Sequence, residues 1–258
     1  MDPATIALAL ASGVIVGTLL ASFGGGGSIL AAPLLLYLVG VGDAHVAIGT
    51  SSLAVAANAA IGLAGHARAG RVKWPCALVF AGAGLAGSFV GSTIAKQLPG
   101  DDLLLFFSIA MAAIALSMFR KPKSEGDGDA HLDRQVAIRL VPIGLATGFA
   151  AGFFGIGGGF LIVPGLILAA HMTMANASAS SLVSVVAFGS ATSFNYALSG
   201  YVDFTLAALM VGGGIIGGAI GLYVARALAT RATLARRLFA VMVLAVAAYV
   251  AARALALI

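Results

Sequence analysis

Residues 154–164 read FGIGGGFLIVP, and residues 23–33 read FGGGGSILAAP. Each phrase interrupts an apolar run. In hydrocarbon an unpaired backbone amide costs several kcal/mol, so irregular backbone survives there only where it is buried in protein or lines a polar cavity. Two interruptions in nearly the same words therefore suggest a duplicated module with a reason for each break. The setting is a membrane: 61% of the 258 residues are hydrophobic and 9% are charged, against roughly 45–50% and about 25% in a soluble domain.

Apolar segments fall at about 4–22, 28–41, 44–66, 75–98 and 103–120, then at 137–154, 159–172, 175–199, 204–228 and 237–256, judged against the ~20 residues that a spanning helix needs. The fold class is thus an all-α polytopic membrane protein. RKPKSEGDGDAHLDR (120–134) is the one long charged stretch. It divides a first repeat, 1–120, from a second, 137–258, across a linker at 121–136 expected on the cytoplasmic side. The opening MDPATIALAL has no Lys or Arg ahead of its apolar stretch. It lacks the basic region of a cleaved signal and reads as a structural helix.

With an offset of about 130 residues the repeat extends well past the glycines. Gly13, Gly17, Phe23, Gly24, Gly26, Gly27 and Pro33 fall on Gly144, Gly148, Phe154, Gly155, Gly157, Gly158 and Pro164. SSL at 51–53 meets SSL at 180–182, and Gly82, Gly84, Gly87 and Gly91 meet Gly212, Gly214, Gly217 and Gly221. Each half holds a helix pair broken by glycines, which returns the chain to its starting side whether it spans twice or only dips in and out, plus three transmembrane helices. That count is odd, so the second repeat is expected to be inverted. On this topology Arg68, Arg71, Lys73, Arg120, Lys121, Lys123, Arg134, Arg139, Arg226, Arg231, Arg236 and Arg237 share one face, and only Lys96 and Arg253 reach the other. Basic short loops stay inside, so the first face is expected to be cytoplasmic and both termini periplasmic.

The glycine runs suit an anion. Successive N–H groups can form a concave nest, and a helix starting just beyond turns its positive end on the same spot. Candidate binding residues are Gly24, Gly25, Gly26, Gly27 and Ser28 in the first half, with Gly155, Gly157, Gly158 and Gly159 in the second. The competing reading is close helix packing, which is preferred for the Gly82–Gly91 and Gly212–Gly221 stripes. The first stripe is formally GxGxxG, but it lies within an apolar helix with no strand before it, so it is no nucleotide fingerprint. Thr50, Ser51, Ser52, Ser178, Ser180 and Ser181 follow each break. Their hydroxyls either donate to an oxyanion or cap and back-bond their own helices. Asn58, Asn195 and His66 are candidates for lining a path.

Other chemistry is thinly represented. Cys76 is the only cysteine, so disulfides, redox pairs and thiolate clusters are not expected, and the four histidines form no metal set. No nucleophile and base are paired, no ATP-binding motif occurs, and no basic stripe interleaved with aromatics suggests nucleic acid. The chain reads as a non-enzyme without catalytic residues, metal or cofactor. No carboxylate or basic residue sits at the centre of an apolar segment, which discourages a proton relay or a cation carrier.

FGGGGSILAAPLLL with HVAIGTSSLAV and GRVKW, and FGIGGGFLIVPGLIL with ASASSLVSV and GYVDF, together resemble the duplicated signature of the sulfite exporter TauE/SafE family, also called toluene sulfonate uptake permeases. The resemblance covers nearly all of the chain except the linker. It implies a bacterial inner-membrane secondary transporter, working by alternating access on a small sulfur-containing anion such as sulfite, an organosulfonate or thiosulfate. A coupling ion, proton or sodium, and a homo-oligomer are further expected partners beside the lipid bilayer. Two positions depart from the signature: Lys73 stands where the GxVD pattern has an acid or amide, and Ala179 where the GTS pattern has Thr. The rival readings are a carrier of another anion or of a cation, and a non-transporting membrane scaffold.

Overall fold

A computed structural model describes residues 2–119, 132–155, 159–228 and 232–255, and all their extended elements are helical. The first half comprises α1 (Pro3–Phe23), a 3-10 segment (Gly24–Leu30), the single turn α2 (Ala31–Pro33), a π-helical stretch (Leu34–Val39), α3 (Ala44–Arg68), α4 (Trp74–Ala95) and α5 (Gly100–Met118). The second comprises α6 (Arg134–Phe154), α7 (Gly159–Ala170), α8 (Met174–Ala197), α9 (Phe204–Leu228) and α10 (Ala232–Ala254). Eight helices among the described residues are long and apolar enough to cross a membrane, while Gly27–Val39 and Leu161–Ala170 are short. At 1.5 Å per residue the 12-residue α7 is about 18 Å long, well under the ~30 Å hydrocarbon layer. Of each glycine-broken pair the first helix therefore has spanning length, and only the second is a half-helix.

The helix starts follow from capping. Asp43 accepts the N–H groups of His45 and Val46 at 2.7 and 3.4 Å, Asp133 that of Val136 at 2.7 Å, and Asp203 those of Thr205 and Leu206 at 2.9 and 3.0 Å. Thr173 does the same for Asn176 at 3.3 Å. These caps satisfy amides that otherwise have no partner in the first turn. Because Asp133 caps α6, the last residues of the sequence-defined linker, from Arg134, are already helical. Lys73 has no acceptor to offer at the start of α4, where Pro75 supplies a helix-compatible φ instead.

Small residues set the packing. Along α4 and α6 the contacts run Phe80 with Gly144, Gly84 with Gly148 and Ser88 with Gly152. Along α1 and α9 they run Gly13 with Met210, Gly17 with Gly214 and Thr18 with Gly217 and Gly221. Both pairs are parallel and join one half of the chain to the other. At Gly13, Gly17, Gly144, Gly148, Gly152, Gly217 and Gly221 a Cβ would overlap a backbone carbonyl of the facing helix. The Thr18 hydroxyl seals α1 to α9 by donating to the Gly217 carbonyl at 3.0 Å, and Ser22 donates to Gly221 at 3.1 Å. Helices approach this closely in lipid because dispersion and weak polar contacts, rather than water exclusion, drive their association.

By contrast α3 crosses α8 antiparallel, with Gly49 at Tyr196, Ala56 at Gly189 and Gly62 at Leu182. Both helices are mostly buried and carry the serines singled out above.

Candidate functional site

The two glycine breaks adopt different backbones. In the first half the run is wound into the 3-10 segment Gly24–Leu30, and Gly27 folds back on Leu19 and Leu20. In the second, α6 stops at Gly155, whose φ of 64° is the left-handed conformation that glycine adopts without a Cβ penalty. Gly157 and Gly158 lie outside the described residues, and Gly159 opens α7.

Each break is set against the serine-bearing helix of the other half. Ser52 donates to the Gly155 carbonyl at 2.8 Å, and Ile48, one turn earlier on α3, fills the space beside the same glycine. The segment Gly24–Leu30 touches both α7 and α8. Levels along the bundle can be read from the ladder of contacts. Asn58, Gly214 and Gly17 lie at one level, Gly27 about a turn beyond Gly17, and Gly155 at the level of Ile48 to Ser52. At 1.5 Å per residue the breaks are staggered by roughly 15 Å along the helix axes, one on each side of the bundle's middle. The candidates thus fall into two groups: Thr50, Ser51 and Ser52 with Gly155 and Gly159, and Ser178, Ser180 and Ser181 on the helix that Gly24–Leu30 meets.

Several hydroxyls already serve the protein. Thr50 Oγ1 accepts the N–H of Asp203 at 2.9 Å, and Ser180 Oγ accepts that of Lys73 at 2.9 Å. These two bonds are counterparts across the repeat. They account for both departures from the signature: the GxVD acid is a helix cap, and Ser180, one residue along, does in the second half what Thr50 does in the first. Ser51 donates to Ile48 at 3.1 Å and Ser181 to Ser178 at 2.8 Å, the back-bonding pattern of helical serines. The buried polar residues among the described ones are Ser, Thr and Asn, with the Tyr196 hydroxyl beside them, and none is charged. No group of three or more His, Cys, Asp or Glu among them could hold a metal ion.

The two asparagines differ. Asn195 joins α8 to α4: its Nδ2 donates to Ser92 Oγ at 2.7 Å and Thr93 Oγ1 at 2.9 Å, and its Oδ1 and carbonyl accept from Lys96 Nζ at 2.9 and 2.8 Å. Lys96 also donates to Ser199 at 2.9 Å, and burial holds its ammonium below the ordinary lysine range. Sequence reasoning missed Lys96, and a basic residue just past a helix end is the signal that marks a carbonyl-capping role. Asn195→Leu is expected to lower stability by about 2–3 kcal/mol, since the lost bonds include charge-assisted ones. Thermal melting in detergent checks this, and a change within about 0.5 kcal/mol would show the network to be idle. Asn58 is 93% buried, at 7% exposure, and its Oδ1 has no partner. His66 lies in the last turn of α3, near the basic loop, away from the middle of the bundle.

Eight spanning-length helices packed with two half-helices among the described residues, with a neutral polar interior, define a multi-pass helical membrane protein. Residues 9–250 match the sulfite exporter TauE/SafE family, and the chain belongs to it. A probable membrane transporter protein of Xylella fastidiosa (strain 9a5c) is 44% identical over 247 residues, covering 95% of each chain. The probable membrane transporter protein YunE of Bacillus subtilis (strain 168) is 27% identical over 85% of this chain and 88% of its own. One from Methanocaldococcus jannaschii, MJ0441, is 29% identical over 77% and 78%. No solved structure matches.

Proposed function

We propose that the protein is a secondary transporter that moves a small sulfur-containing anion, of the sulfite, organosulfonate or thiosulfate type, across a bacterial inner membrane by alternating access. The observation that carries this reading is the pair of glycine breaks, each held against the other half's serine helix in an interior whose buried polar residues, among the described ones, are all neutral. Backbone amides and hydroxyls can hold an anion there without a fixed positive charge, so the ligand can also leave. The family's description supplies the sulfur chemistry.

Two inverted repeats account for the helix directions, with α1 parallel to α9, α4 parallel to α6, and α3 antiparallel to α8. The moving units, on this reading, are not the sequence halves. One is α1, α3 and α9 with the Gly24–Val39 segment; the other is α6, α7, α8 and α4. Each mixes helices of both repeats, and they meet where α3 crosses α8. The loops with Arg68, Arg71 and Lys73 face the cytoplasm, and both termini face the periplasm.

The test is thermal stabilisation of the detergent-purified protein by sulfite, thiosulfate, sulfoacetate, taurine, sulfate, acetate and chloride. A sulfur anion at a hundred times its Kd should add about 2.7 kcal/mol of stability. The stabilisation should be selective and be lost in Gly26→Val and Gly157→Val variants that still fold. A uniform response across the panel would overturn the reading.

A further inference from the structure

Gly84 and Gly214 are counterparts in the two repeats, yet they meet opposite kinds of side chain. A Cβ at Gly84 would overlap the ring of Phe188, and a Cβ at Gly214 would overlap the amide of Asn58. Phe188 and Asn58 are 130 residues apart, as Gly84 and Gly214 are, so the equivalent contact carries an aromatic ring in one half and a carboxamide in the other. Phe188 is fully buried and stacks on Phe80, with ring centroids 6.4 Å apart. Its site is filled and satisfied.

The Asn58 site is not. Asn58 is residue 15 of the 25-residue α3, close to the middle of the bundle, and its Oδ1 is fully buried with no hydrogen-bond partner. A serine hydroxyl left without a partner can rotate to the carbonyl one turn back, but a carboxamide oxygen only accepts and cannot bond to a carbonyl. Leaving it unpaired is costly, and a leucine of the same branched shape would avoid that cost. The level of Asn58 lies between the levels of the two glycine breaks, nearer to Gly27.

We infer that Asn58 is a substrate contact and the specificity-determining residue of the anion site. It takes a small oxyanion that carries one proton, with Oδ1 accepting the anion's O–H and Nδ2 donating to a deprotonated oxygen. A carboxamide offers one donor face and one acceptor face side by side, and a singly protonated oxyanion is the complementary ligand. The site is one-sided, because the second repeat presents Phe188 in the equivalent place. This inference rests on the transport reading given above.

The experiment compares wild type with Asn58→Leu and Asn58→Ala, using sulfite in mildly acidic and in alkaline buffer and methanesulfonate as an anion that stays unprotonated. The wild type is expected to bind sulfite more tightly in acid, where the singly protonated form prevails. Asn58→Leu is expected to melt no lower than wild type without ligand, yet to lose about tenfold or more in sulfite affinity. That combination separates a binding role from a structural one. Sulfite affinity within about twofold of wild type in either variant would overturn the inference while leaving the transport reading intact. Equal wild-type affinity in acid and alkali, or methanesulfonate bound as tightly as sulfite, would overturn it too. So would loss of ligand-free stability in both variants. If no sulfur anion stabilises the wild type, both readings fail together.

Discussion

Gly148→Val is expected to remove the folded protein from the membrane, whereas Gly82→Val, on a neighbouring stripe of the same helix pair, is expected to leave it intact. A Cβ at Gly148 would overlap the backbone oxygen and Cα of Gly84, and no rotamer change moves a backbone. α4 and α6 would have to separate along their length. That would also disturb the contacts at Gly87, Gly91, Gly144 and Gly152. Overpacking alone costs about 1–3 kcal/mol, and separating a continuous close-packed seam should exceed the ~4–5 kcal/mol that marks the exceptional mutation. A Cβ at Gly82 meets nothing within 4 Å, so Val there should stay within about 0.5 kcal/mol, as surface substitutions do. The amount of monodisperse protein recovered in detergent and its melting temperature measure both. Equal recovery of the two variants would refute the packing account.

A disulfide between Ala56→Cys and Gly189→Cys, in a Cys76→Ala background, should abolish anion flux into proteoliposomes, and reductant should restore it. These positions face each other where α3 crosses α8, with Ala56 Cβ 3.0 Å from a Cβ built at Gly189, close to the span that a disulfide bridges. The bond would fasten the two proposed moving units together. A disulfide between Leu10→Cys and Gly212→Cys should leave flux within about twofold, because α1 and α9 belong to one unit. There Leu10 Cδ2 lies 3.8 Å from a Cβ built at Gly212. If the sequence halves themselves rocked against each other, the second bond would join one half to the other and block flux as fully as the first. Flux that survives the 56–189 bond would refute the proposed interface.

The contrast between Gly84 and Gly82 shows where sequence reasoning stops. Both belong to the stripe read as a packing motif, but helical periodicity does not say which face meets a partner, and only the contacts of Gly84 with α6 and α8 separate them. The brevity of 159–172 is legible in the chain, but whether the glycine segments span or re-enter is not, and the 12-residue α7 is what makes it a half-helix. The stagger of the two breaks is not legible either, because it depends on which helix each break rests against. The same holds for the serines. Thr50 and Ser180 read as anion ligands or helix caps on spacing alone, and the tertiary structure gives them to the amides of Asp203 and Lys73, more than 100 residues away. Asn58 and Asn195 looked alike in the chain. One is fully engaged by Ser92, Thr93 and Lys96, and the other has an oxygen with nothing to bond.

What the sequence determined by itself is the class: an apolar chain written twice, with glycine breaks and hydroxyls in matching places, in a solvent that leaves helices as the economical way to satisfy its backbone. That is local information, carried by composition, period and repeat. What only the tertiary structure decided is the pairing across repeats, with α1 against α9, α4 against α6, and each break against the other half's serine-bearing helix. Those pairings depend on which carbonyl a missing Cβ exposes, and that is a property of two helices at once.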